Sequence, residues 1–481
     1  MQRRVMLSSV CASLLVLACS SGSDEQSAPA EQAPPREPVT NDDDTPVDVA
    51  PPLAADPEPA APADDDDEPA PAEPPATARV CDDSVSFDDL YTLVAADLRD
   101  EGDDGVFLRY VSLGNRLNQG ICSEDLASDR FAVIKAVNSL SIESRIAVPE
   151  AIDAEETVYR IDLRSYGWDR PTTVGGVDFA DKWEAILDAT PLAVEFEGDE
   201  ADEAKLRSGT TVPVIYADSL LNAAMVDELY YALIEVGEDE DALLAQLGID
   251  EEDQEERKIV VKAGTSQSEF SRQDMVAERL EIELYQGYYW GRYDIAADTA
   301  GQSIFADPLE FEKDSIAAVF SLPNGLNGYA LFDGAGVRVN DTNVVLDPAQ
   351  RDDRVRNSVS CSQCHASGLN AISDEIRGYA EANPLDYGVD VLDEVLDAFP
   401  EQSTIDDAFA QDTQRYRDAL SRLGLPASGS DPISVTYLRY DGDVSLEIAA
   451  GELGVTPERF ERDLTQLSAE VDPALSTLRS Q

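Results

Sequence analysis

Residues 353–369 read DRVRNSVSCSQCHASGL, and at their centre stands Cys361-Ser362-Gln363-Cys364-His365. His365 is the single histidine of the 481 residues. Each position of C-x-x-C-H has a chemical reason. Two thiols three positions apart can add to the two vinyl groups of one porphyrin, and the next residue offers an imidazole nitrogen to its iron. The expected cofactor is therefore one covalent haem c, held by Cys361 and Cys364 with His365 as axial ligand. Two plainer readings compete. A thioredoxin-type dithiol needs a buried strand feeding a helix, and VRNSVS upstream is a poor strand. Zinc would need more Cys or His ligands than the chain has left.

The remaining cysteines point to compartment. Met1-Gln2-Arg3-Arg4 followed by an apolar run from Val5 to Ala18 has the form of a signal peptide, too short to span a bilayer. Val16-Leu17-Ala18-Cys19 resembles a bacterial lipobox, which implies that Cys19 carries lipid after cleavage. The expectation is an exported protein, lipid-anchored in the cell envelope, at the outer membrane on its periplasmic or surface side. An ordinary secretory peptide is the alternative. Cys81 and Cys122 then remain as one pair, expected to form a structural disulfide.

Formal net charge is −63. Nucleic acid and anionic lipid surfaces are repelled by such a chain. Its partners are expected to be redox proteins, basic ones favoured by the field, with membrane contact through the lipid anchor alone. A merely solvated acidic surface explains the same charge.

Residues 20–80 hold 14 of the 27 prolines and runs of Asp, and they lack aromatic residues. Such a segment reads as a disordered, extended tether. Behind the signal (1–19) and tether (20–80), three stretches follow. Residues 81–260 read as a helical N-terminal domain. Ser86 caps a helix carrying Phe87, Leu90, Val94 and Leu98; further helices start at Ser123, Asp178 and Asp218, the last running through SLLNAAMVDELYYALIEV. VYRIDLR (158–164) alternates as a strand. Residues 261–350 hold YYWGRYDI, AAVFSL, GYALFD and VRVNDTNVVL, a small antiparallel sheet. Residues 351–481 turn helical again, near 372–382, 387–399, 404–423, 444–452 and 456–468. LEIAAGELGVTPERFERDL has helix-turn-helix form, with Gly454 at the turn and Thr456 as a cap. In an acidic exported chain it reads as two packed helices. The fold class expected is α+β, predominantly α-helical, with a helical N-terminal unit, a small antiparallel sheet insertion and a helical c-type haem-binding unit.

The motif and its surroundings resemble the large exported cytochrome-c-like proteins of planctomycetes, myxobacteria and related groups. The matching stretches include RYVSLGNRLNQGICSEDL, VYRIDLRSYGWD, FSRQDMVAERLE, VFSLPNGLNGYALFDGAGVRV and DRVRNSVSCSQCHASGL. The resemblance implies a mono-haem domain behind a helical region and brings no settled enzymatic activity.

A class I c-type cytochrome takes Met as second ligand downstream of its motif, yet no Met, His or Lys follows residue 365. Met275 is the candidate distal ligand, and Met225 reads as core. A vacant site, Lys262, Lys313 or Tyr329 are the alternatives. Arg354 and Arg356 are candidate propionate partners, and SLPNGLNGY a candidate haem-edge loop. The functional expectation is an envelope electron carrier rather than a catalyst. The alternatives are a five-coordinate haem ligand sensor, a peroxidase-like enzyme, or a structural envelope module with haem. No hydrolase triad, Gly-rich phosphate loop or EF-hand spacing is present.

Overall fold

The computed structural model describes residues 81, 84–190, 193, 195–266, 273–295, 303–441 and 445–466. The expected signal, Cys19 and the tether lie outside them. Helix makes up 44% and strand 20%, so the architecture is mixed α/β rather than predominantly helical.

The N-terminal helices begin where local chemistry allows. Ser86 and Asp89 form a reciprocal capping box on Phe87–Glu101, and that helix buries Leu90, Tyr91, Val94 and Leu98 on one side. Three expected starts move. Ser123 opens a single 3-10 turn, and the helix proper is Ala127–Ser139. Asp181, not Asp178, caps Lys182–Ala189 by accepting from Glu184 N, because Asp178 is consumed in a hairpin. The long helix expected from Asp218 is two, Ala217–Ala224 and Asp227–Leu233, parted at Met225 where Asp227 takes φ +55°.

Between these helices lies a sheet that the sequence reading largely missed. Strands β1 (Leu108–Ser112), β2 (Glu150–Ala151), β3 (Val158–Asp162) and β6 (Val214–Tyr216) pair in the order β2-β3-β1-β6. β1 runs antiparallel to β3 and parallel to β6. Strands β4 (Thr172–Val174) and β5 (Val177–Phe179) form the hairpin. All five residues of β1 are buried, with Leu108 and Tyr110 against the first helix and Val111 in the central core.

The second sheet is a six-stranded antiparallel meander: β7 (Val261–Thr265), β8 (Met275–Ile282), β9 (Gly287–Ile295), β10 (Lys313–Ser321), β11 (Asn327–Asp333) and β12 (Arg338–Val339). The expected strand VRVNDTNVVL is split. Its first part is β12, and its second, β13 (Asp341–Leu346), pairs with β14 (Arg354–Arg356) just before the motif. Alternation decides which face does what. One face sends Leu280, Tyr289, Ile316, Phe320 and Phe332 into the central core. The other carries Ala277, Trp290, Ala317 and Tyr329, and helix Gln402–Arg422 covers part of it through Phe409, Asp412 and Arg415.

The central core runs from Val111 to Tyr437 and includes Trp168, Tyr289, Val359 and Tyr416. The stretches 81–260, 261–350 and 351–481 thus share one interior. The closing helices Leu446–Glu452 and Pro457–Gln466 meet at Gly454, whose φ of +65° serves the turn, and the first packs on the Gly114–Asn118 helix.

Candidate functional site

The motif is mounted on the end of β14. Arg356 N donates to Ser360 Oγ at 3.0 Å, and Asn357 clamps Asp227 through Oδ1 and Nδ2 at 2.9 and 3.2 Å. Ser358, at φ +61°, turns the chain into the short helix Val359–Cys364. Val359 is buried in the core, and its carbonyl accepts from Ser434 Oγ at 2.7 Å. This single turn puts Cys361 and Cys364 on one side, three residues apart, with His365 following. Both cysteines are free thiols.

His365 is held on two sides. Its Nδ1 lies 3.2 Å from Gly368 O, and its ring stacks beside Tyr329 with centroids 6.1 Å apart. A carbonyl only accepts, so Nδ1 carries the proton and Nε2 keeps its lone pair. A backbone carbonyl fixing the far nitrogen in this way is how ligating histidines are oriented. Burial drives the imidazole down to about 4, opposed by the bond to Gly368, so it is neutral over the ordinary pH range. Burial pushes Cys361 up to about 12 and raises Cys364 as well. A thioredoxin-type dithiol requires the opposite shift.

Cys361, Cys364 and His365 line one wall of a cavity of about 560 Å3. That volume suits a sizeable small molecule, within the roughly 300–1,000 Å3 usual for such sites. The floor is the second sheet. Ala277, Arg292, Ala317 and Leu331 stand side by side across β8, β9, β10 and β11, with Val319 and Trp290 in the next row. Small side chains leave this floor open, and Phe409, Leu369 and Ile372 close the far side. The fit to a flat, apolar macrocycle rests on this shape and on the donor set. Among the described residues, no group of three or more His, Cys, Asp or Glu is gathered for a bare metal ion.

Met275 lines the same cavity and is 4% exposed, on strand β8 rather than in a free polar segment. Tyr329 aligns with Val319, Trp290 and Arg279 across the sheet, and Met275 lies four residues before Arg279. Three strand spacings and four residues separate Tyr329 and Met275 by about 19 Å between Cα atoms. The register therefore sets Met275 well away from the backbone of Tyr329, the residue that packs beside the imidazole. Met225 is core. Lys262 pairs with Glu278 at 3.3 Å, and Lys313 sits over the Tyr293 ring at 3.8 Å, both on the opposite face of the sheet. Tyr329 packs beside the imidazole, and burial raises its hydroxyl far above the usual range.

Arg354 is paired with Asp341 and Arg356 with Asp352, and neither lines the cavity. Of SLPNGLNGY, Tyr329 packs beside the imidazole, while Gly325 and Asn324 lie against Arg422 of the covering helix. The residues that sequence reasoning missed are Arg292, Gly368 and the floor alanines. For Arg292 and Ala317 the signal was the period-two alternation of YYWGRYDI and AAVFSL. Cys81 and Cys122 are bonded, with Cα atoms 5.2 Å apart. Comparison with protein-family models, with curated proteins and with solved structures found no match for this chain.

Proposed function

We propose that the chain is a mono-haem c-type protein of the cell envelope and serves as a one-electron carrier. The observation that carries this reading is convergence. Two free thiols and an imidazole with a free Nε2 share one wall of a cavity with a flat apolar floor. Cys361 and Cys364 would hold the group, each S–H adding across a vinyl C=C to form a C–S bond with the hydrogen placed on the neighbouring carbon, so that no oxidant would be needed. When bound, haem supplies an Fe(III)/Fe(II) couple. The protein's residues do the rest. Gly368 and Tyr329 orient the imidazole, and the sheet and Phe409 wall the cavity. A surface rich in carboxylates guides basic partners.

A second reading is favoured by the separation of Met275 from Tyr329, the residue beside the imidazole. Without a thioether ligand, the haem would leave a place for a small ligand. Carbon monoxide added to the reduced protein separates the two: rapid binding supports a ligand-binding protein, and no binding supports a closed electron carrier. For both readings, the reduced protein should show a sharp α-band and keep its colour through acid-acetone extraction. Extraction of the colour would refute covalent attachment, and Cys361→Ala with Cys364→Ala should yield colourless protein from the cell.

Lipid anchoring through Cys19 belongs to the same proposal. The Cys81–Cys122 bond suits an oxidising compartment. Among the described residues, no helix is long and apolar enough to cross a membrane. Radiolabelled palmitate should enter the wild-type chain and not Cys19→Ala; equal labelling would refute the anchor.

A further inference from the structure

Resting on the haem reading, one residue of the floor gains a role. Arg292 stands in the middle of the sheet, flanked by Ala277 and Ala317, and is the one charged side chain among the described residues lining the cavity. Its neighbours are small, so nothing beside it on the floor crowds the guanidinium. Nη2 donates to Asp294 Oδ1 at 2.6 Å, and Asp294 is itself buried and accepts from Ser315 Oγ at 3.2 Å. The head is thus steadied from one side. Nε is buried and has no partner among the described residues. A cation with an unused donor in an apolar wall favours an anion supplied from the cavity. A planar carboxylate matches the guanidinium fork.

Position agrees. Arg292 lies two strands and two residues from Tyr329, about 12 Å between Cα atoms and between the imidazole and Met275. The arginines nearer in sequence, Arg354 and Arg356, are engaged by Asp341 and Asp352.

We infer that Arg292 is the carboxylate anchor of the cavity and pairs with a propionate of the attached tetrapyrrole, with Asp294 as its positioning residue. A purely structural Arg292–Asp294 pair is the competing account, and removing the ligand's carboxylates separates the two. The full chain carrying Cys361→Ala and Cys364→Ala makes reversible binding measurable. Ferric protoporphyrin IX and its dimethyl ester are titrated into it, followed by absorbance and Trp fluorescence. The free acid should bind at least about tenfold more tightly than the ester, as expected for one charge-assisted hydrogen bond. Arg292→Gln should bring the two within about twofold, and Arg292→Lys should fall between. A preference for the acid that survives in Arg292→Gln would overturn the assignment. So would equal binding of acid and ester by the chain with Arg292 intact, a result that stands even if the Gln variant misfolds. Failure of that chain to bind either porphyrin would overturn the haem reading itself.

Discussion

Gly368 is where backbone, covering helix and candidate ligand meet, and Gly368→Ala tests all three. The residue has φ +120°, a conformation that side-chain-bearing residues rarely adopt. An added Cβ would lie 2.4 Å from Thr413 Cγ2, 3.0 Å from its Oγ1 and 3.1 Å from its Cβ. The strained conformation costs about 1–3 kcal/mol. Forcing the methyl against the Gln402–Arg422 helix adds about 1–3 kcal/mol. The variant should therefore lose about 2–6 kcal/mol in equilibrium urea unfolding followed by circular dichroism. Thr413→Ser separates the two terms. It removes Cγ2 and keeps the Oγ1 that accepts from Leu369 N at 3.1 Å. Combined with Gly368→Ala it should recover the packing part and leave the strain. Because Gly368 O faces His365 Nδ1 at 3.2 Å, the variant should also attach haem in lower yield. Stability within about 0.5 kcal/mol of wild type would refute the strained loop, since ordinary surface changes fall in that range. Absence of rescue by Thr413→Ser would refute the contact with the helix.

Three further outcomes follow from other parts of the chain. Cys81→Ser with Cys122→Ser opens a loop closed over a separation of 41 residues and should lower stability by about 3–4 kcal/mol; an unchanged urea midpoint would count against the bond. Met275→Leu should leave the reduced and oxidised spectra unchanged, because the register sets Met275 about 19 Å from Tyr329, the residue beside the imidazole; a converted spin state would show the sulfur on the iron. Burial, reinforced by Asp218, raises Glu452 from 4.5 to about 9. The folded chain therefore holds a proton that the unfolded chain releases above pH 4.5, so this contribution is complete below pH 4.5 and is lost as pH rises toward 9. Glu452→Gln should flatten the fall in urea midpoint across that window, and an identical slope in the variant would refute the raised carboxyl.

What was legible in the sequence was local. Ser86 and Asp89 sit three residues apart and meet across one helical turn, so the first helix could be read directly. The meander strands alternate because one face is core and the other is floor and cavity. β1 defeated the same test. It is buried on both faces, so Leu108–Ser112 shows no alternation, and its parallel partner Val214–Tyr216 lies about a hundred residues away. Asp178 and Asp181 both precede the helix at plausible distances, and only the β4–β5 hairpin decides between them.

The same distinction governs the site. Cys361, Cys364 and His365 follow one another along the chain, so their chemistry is written in five residues. The rest of the cavity comes from strands whose order no single stretch reveals. Period two says that Arg292, Ala317 and Leu331 each point to one side of a strand, but only pairing sets them in one row under the motif. Expecting Arg354 and Arg356 as propionate partners treated closeness in sequence as closeness in space. In a chain with 98 acidic and 35 basic residues, an arginine near the surface readily finds a carboxylate, as both of these do. A charge reserved for a ligand is better sought where the fold excludes the competing acids. Arg292, the one charged side chain among the described residues lining the cavity, meets that condition with Asp294 beside it. The register of β8, β9 and β10, more than the motif, therefore decides which residues can serve whatever Cys361 and Cys364 hold.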